Sequence, residues 1–249
     1  MKGMFIVILT LGWAGATLAQ SQGGSGATPA DNKTTTSTDT PNDMLRGGPM
    51  VEVKDFDFRI DRHEVTNAEF AIFLNQLGNG EEDGIGWIAL DSKYVQLDHS
   101  DAGYSAKEGF ADHPVVEVSW YGAKAYCAWA GKRLPTETEW QRACEGTEKL
   151  NFPWGGVFEA GRANISGAKD GFVRTAPVGS FPQGASPYGA LDMGGNVWEW
   201  TEAAYVDSAH LRGGSWVNGK SLTRCSSRTS TASDHSYVRG NTLGLRCVR

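Results

Sequence analysis

The residues best suited to chemistry lie between Tyr188 and Trp216. Asp192 and Glu199 bracket the glycines of Gly194-Gly195-Asn196-Val197-Trp198-Glu199-Trp200, and Arg212-Gly213-Gly214-Ser215-Trp216 follows after a short polar stretch. Carboxylates in such a setting can hold a hard cation through oxygen, although turn-capping is the commoner role of lone acids. Paired glycines admit φ > 0 and close backbone approach. Each tryptophan brings a large apolar surface and one N–H that needs a partner. The combination predicts a tight centre of irregular backbone held by aromatic packing. Ser215 has no G-x-S-x-G elbow and no identifiable His–Asp relay, so it reads as a hydroxyl satisfying a glycine turn and not as a nucleophile.

The other metal and nucleophile candidates are cysteines and histidines. Cys127, Cys144, Cys225 and Cys247 contain no C-x-x-C pair, which argues against zinc. Four cysteines in an exported chain read as two disulfides, and spacing leaves all three connectivities open. His63, His99, His113, His210 and His235 form no H-x-x-x-H spacing. Histidines so scattered read as surface or turn residues.

The 249 residues are 40% hydrophobic and 10% aromatic, with 32 glycines and a net charge of −6. The length suffices for one sizeable core. The acidic balance gives no basic surface for nucleic acid. Residues 1–19 carry Lys2, an apolar run too short to span a bilayer, and small residues at Ala14, Ala16 and Ala19, the pattern of an export leader. No membrane span is expected. Residues 20–47 are Ser, Thr, Gly, Asn, Asp and Pro without an aromatic residue, the composition of a disordered linker. The folded domain is expected over 48–249.

Within it, residues 50–53 and 56–60 alternate with strand period. Thr66-Asn67-Ala68-Glu69 and Thr136-Glu137-Thr138-Glu139 are capping boxes that start helices, and Ser119 caps a third that Gly131 stops. Residues 113–120 are expected as a strand feeding that third helix. The glycine-dotted stretch 78–109 is expected to carry one hairpin. After Gly146 only short strands and loops are expected.

Several separated stretches now point one way. G-N-V-W-E-W, R-G-G-S-W, Asp61-Arg62-His63-Glu64-Val65-Thr66-Asn67, A-G-K-R-L-P-T-E-T-E-W and the closing L-G-L-R-C resemble, in order, the formylglycine-generating-enzyme or sulfatase-modifying-factor family. The resemblance implies an α+β, C-type-lectin-like domain with little regular secondary structure. It implies the disulfides Cys127–Cys247 and Cys144–Cys225. It also implies two calcium sites. One uses the side chains of Asn164 and Asp170 with the carbonyls of Ile165 and Phe172. The other uses Asp192, Gly195, Val197 and Glu199, with Asp192 where the family often has Asn.

The family's oxidase chemistry does not carry over. Its copper-binding cysteines follow the Gly-Gly-Ser motif, because copper(I) is soft and prefers thiolate. Here residues 215–224 contain no cysteine, and Asn218 stands where the first would be. The histidine-dependent iron branch lacks its ligand spacing too. Export, disulfides and missing cysteines are most similar to a periplasmic branch that includes a pyoverdine-maturation factor. The expected groove lies at Trp198, Ser215, Trp216 and Asn218. The expected function is an exported maturation or modification factor for a peptide-like substrate, without formylglycine-generating activity. The alternative is a non-catalytic, calcium-stabilised lectin-like module that presents residues 218–239 to a peptide-like or small-molecule ligand. Calcium is the expected cofactor; no redox metal, catalytic residue or oligomeric state is assigned.

Overall fold

Local capping chemistry sets the three α-helices found among the described residues. The computed structural model describes residues 48–167, 170–202, 210–230 and 238–249; the leader over 1–19 and the linker over 20–47 lie outside the described residues. Helix α1 (Asn67–Leu77) starts at Thr66, whose hydroxyl accepts from Glu69 N–H while the Glu69 carboxylate accepts from Thr66 N–H at 2.8 Å. Ser119 caps α2 (Trp120–Trp129) by accepting from Gly122 N–H. Thr136 and Glu139 repeat the full box on α3 (Glu137–Glu145). Each box satisfies backbone donors that a helix start otherwise leaves orphaned.

The strands are short, and the longest sheet is built around the tryptophan motif. Strands β1 (Met50–Val53) and β2 (Phe58–Asp61) pair antiparallel, Met50 opposite Asp61. The stretch 78–109 holds two hairpins where one was expected: β3 (Glu81–Glu82) with β4 (Ile85–Gly86), and β5 (Leu97–Ser100) with β6 (Gly103–Ala106). Strands β7 (Trp198–Trp200), β8 (His210–Arg212), β9 (Arg228–Ser230) and β10 (Leu243–Gly244) form one sheet in the order β10-β7-β8-β9. Only β10 runs parallel to its neighbour, β7.

Residues 113–120 are not the regular strand expected. Glu117 takes φ 64°, and only isolated bridges, Thr66 to Pro114 and Ile88 to Val118, join this stretch to neighbours. A left-handed residue breaks strand alternation. Glu117 is held there by its N–H to Gly240 O and by Ala89 N–H to its own carbonyl, both at 3.1 Å.

Two apolar clusters form the core. The first joins Phe70, Phe73 and Leu74 of α1 to Tyr126 of α2 and to Trp198, Trp200 and Leu245. The second gathers Val53, Ile60, Trp140, Met193 and Val248. One disulfide lies in each: Cys127–Cys247 in the first and Cys144–Cys225 in the second. The chain end returns to β2 through Asp61 N–H to Cys247 O and a reciprocal pair between Arg59 and Arg249. Among the described residues no helix is long and apolar enough to cross a membrane.

Candidate ligand cleft and cation loops

The glycine–tryptophan run does its positioning through Asn196. Asp192 and Asn196 both take left-handed φ, 59° and 60°, and Gly195 takes φ 129°. A Cβ on Gly195 would collide with the Asn164 carbonyl, so glycine is needed for the close approach of the two loops. Asn196 then ties several segments together. Its N–H donates to Asn164 O, its Oδ1 accepts from Asn164 Nδ2 and Ala176 N–H, and its carbonyl accepts from Trp216 N–H. Its Nδ2 donates to the buried Glu64 carboxylate at 2.9 Å.

This hub brings the loop around 164–172 beside the turn 215–218. Ser166 N–H donates to Asn218 O. Asn218 Oδ1 accepts from both the backbone N–H and the hydroxyl of Ser215, so Asn218 caps the turn where the resemblance places a copper cysteine. Trp216 is fixed by Nε1–H to Asn241 O. Between the two loops lies an open cleft of about 380 Å³, whose walls include Ile165, Phe172, Val173, Trp216 and Val217, with Asp170 as the charged side chain in its lining. Val173 is 90% exposed and Val217 47%, an apolar rim open to solvent. Of the expected groove residues, only Trp216 reaches this cleft wall. Trp198 packs into the first core cluster and Ser215 is fully buried.

The donors of the first cation loop fit calcium. Asp170 accepts from Ile165 N–H and from Phe172 N–H, both at 3.1 Å, which draws the two carbonyl-bearing residues around one carboxylate. Asn164 commits Nδ2 to Arg174 O and Asn196 Oδ1, so Oδ1 is the atom its side chain offers. These are hard oxygen donors, the kind calcium takes.

The second set is arranged differently. Glu199 accepts from Arg246 Nε at 2.6 Å, from Arg246 Nη2 at 2.7 Å and from Trp140 Nε1 at 2.6 Å, and its side chain is wholly buried. Asp192 accepts from Gly179 N–H. Burial, reinforced by the Asp192 and Glu199 charges, pushes the Glu64 carboxyl well above the ordinary range, and burial also raises Asp192. For Arg246 burial opposes the charge, but the Glu199 carboxylate overcomes it and raises the guanidinium pKa.

No cysteine thiolate is free to hold a soft metal. Every cysteine is in a disulfide. Among the described residues no group of three or more His, Cys, Asp and Glu side chains is placed to hold a metal ion. His99 stacks on Tyr104, His113 bonds Thr175, and His210 pairs with Glu137 at 3.2 Å. Of the stretch 218–239 expected to present residues to a ligand, 231–237, including His235, lie outside the described residues.

Sequence reasoning missed Asn196, Glu64 and Arg246. An asparagine after two glycines is a signal for a left-handed turn. The partners Glu64 and Arg246 are 132 residues before Asn196 and 47 after Glu199, distances that no local pattern connects.

The fold and site define a class. Residues 20–249 match the FGE-sulfatase family, described as the sulfatase-modifying factor enzyme 1-like domain, and the chain belongs to that family. It is similar to the inactive C-alpha-formylglycine-generating enzyme 2 of Bos taurus, 34% identical, with 85% of this chain and 83% of the relative covered. The formylglycine-generating enzyme of Bos taurus is 33% identical, with 86% and 71% covered. Among solved structures, PvdO from Pseudomonas aeruginosa superposes with a TM-score of 0.59 at 26% identity, covering 77% of this chain and 80% of that one. The α+β fold with little regular structure is the family's.

Proposed function

We propose that this family member is exported and acts as a maturation or modification factor on a peptide-like substrate held in the cleft between residues 165–173 and Trp216. The observation that carries the reading is the cleft itself. An aromatic wall, an exposed apolar rim and one carboxylate converge beside Trp216, the last residue of the R-G-G-S-W motif. Concave apolar sites with few polar groups are the usual form of ligand sites. Formylglycine-generating activity is not proposed, because no thiolate pair is available to hold copper(I). Export is supported by the leader pattern in residues 1–19 and by two disulfides, which persist in oxidising compartments. Calcium is proposed at the loop of Asn164, Ile165, Asp170 and Phe172, where it would fix one wall of the cleft.

A second reading, a binding module without catalysis, is favoured by the same lack of thiolates. One experiment addresses both. A displayed peptide library is selected on the calcium-loaded protein, and the selected peptide is titrated into wild type and Trp216→Ala. Binding weaker by about tenfold or more, with unchanged circular dichroism, is expected. Equal affinity would overturn the cleft assignment. The mass of the bound peptide after incubation then separates the readings: a covalent change means modification, and an unchanged mass means a binding module.

A further inference from the structure

The family resemblance implies a second calcium site at Asp192, Gly195, Val197 and Glu199, yet a cation already sits against its main carboxylate. Arg246 places Nε and Nη2 in a fork on the two Glu199 oxygens, at 2.6 and 2.7 Å. Its remaining N–H groups go to the carbonyls of Leu191, Asp61 and Arg62. All five guanidinium donors therefore have partners, and the group has no alternative position to retreat to. Trp140 Nε1 donates to Glu199 Oε2 as well, leaving little lone-pair capacity for a metal. Both side chains are entirely buried. A divalent ion entering here would have to displace a bidentate, charge-assisted pair and then sit beside the guanidinium charge.

We propose that Arg246 is the resident cation of this centre and keeps calcium out of it. A guanidinium carried on the chain two residues beyond β10 supplies the positive charge at every calcium concentration. The core around Trp140 and Met193 then closes without metal, and any response to calcium is confined to the cleft loop around Asp170. This last consequence rests on the calcium reading of that loop; the exclusion at Glu199 does not.

The test counts calcium per chain by elemental analysis, after equilibrium dialysis of the full-length exported protein in excess calcium. Wild type is compared with Asp170→Ala, a change on a solvent-facing loop that leaves both core clusters intact. One calcium in wild type and none in Asp170→Ala is expected. Two in wild type, or one retained in Asp170→Ala, would overturn the proposal. No calcium in either protein would support the exclusion at Glu199 and remove the cleft-loop reading instead, so the two failures are distinguishable.

Discussion

At the scale of single residues the Glu199–Arg246 pair is the interaction with the largest consequence. A fully buried ion pair costs much desolvation and is no guarantee of net stability, but removing one partner strands the other charge in the core. Glu199→Gln leaves Arg246 facing a neutral amide. A loss of about 3–5 kcal/mol is expected from the shift in urea midpoint, with Arg246→Met losing a similar amount. The double change Glu199→Gln with Arg246→Met is expected to lose less than the sum of the two single changes, because the guanidinium is no longer left facing a neutral amide. A Glu199→Gln cost below about 1 kcal/mol would contradict the pairing, since that is the scale of an exposed pair. Glu199 was legible in the sequence as an acid beside paired glycines. Its partner was not, because nothing local sets Arg246 against it.

At the scale of elements, legibility followed the range of the interactions that form each one. The starts of α1 and α3 are written in four-residue boxes, and the structure reproduces both. The strand expected over 113–120 fails because bonds to Gly240 and Ala89, far along the chain, hold Glu117 in a left-handed conformation. The box on α3 also gives a pH prediction. Burial disfavours the Glu139 charge, but the fork from Arg133 and the bonds from Thr136 outweigh it and hold the pKa below the ordinary glutamate value. A depressed folded-state pKa means the contribution is complete above the unfolded value of 4.5 and is lost as pH falls through the lower folded value. Arg133 is 48% exposed, so solvent screens the ion pair and the cap is the larger part of the effect. Glu139→Gln is expected to lose about 1 kcal/mol near pH 7 and progressively less below pH 4.5. Urea unfolding of both proteins across that range checks it. A difference that grows on acidification would reverse the sign and refute the assignment.

At the scale of the whole molecule, covalent links and any bound cation should act on different parts. Cys127–Cys247 and Cys144–Cys225 span 120 and 81 residues, and both lie within the apolar clusters at zero exposure. Closing loops of that length removes on the order of 4–5 kcal/mol of denatured-state freedom per bond, before native strain is subtracted. Replacing Cys127 and Cys247 together by serine is expected to lower the midpoint of thermal unfolding by about ten degrees or more, given a few degrees per kcal/mol for a domain of this size. A change of only a degree or two would mean that the link contributes little. Calcium removal should look different. The Asp170 loop borders the open cleft and contributes few of the residues that close the core, whereas the centre at Glu199 is completed by Arg246. Stability is distributed unevenly in such folds, and an exposed loop opens at far lower cost than the core. Chelation is therefore expected to expose residues 164–173 to protease and to weaken cleft binding while the cooperative melt stays within a few degrees of the calcium-loaded protein. If chelation instead brings down the melt as far as loss of a disulfide does, a calcium ion is holding the core, and the guanidinium is not sufficient to close it.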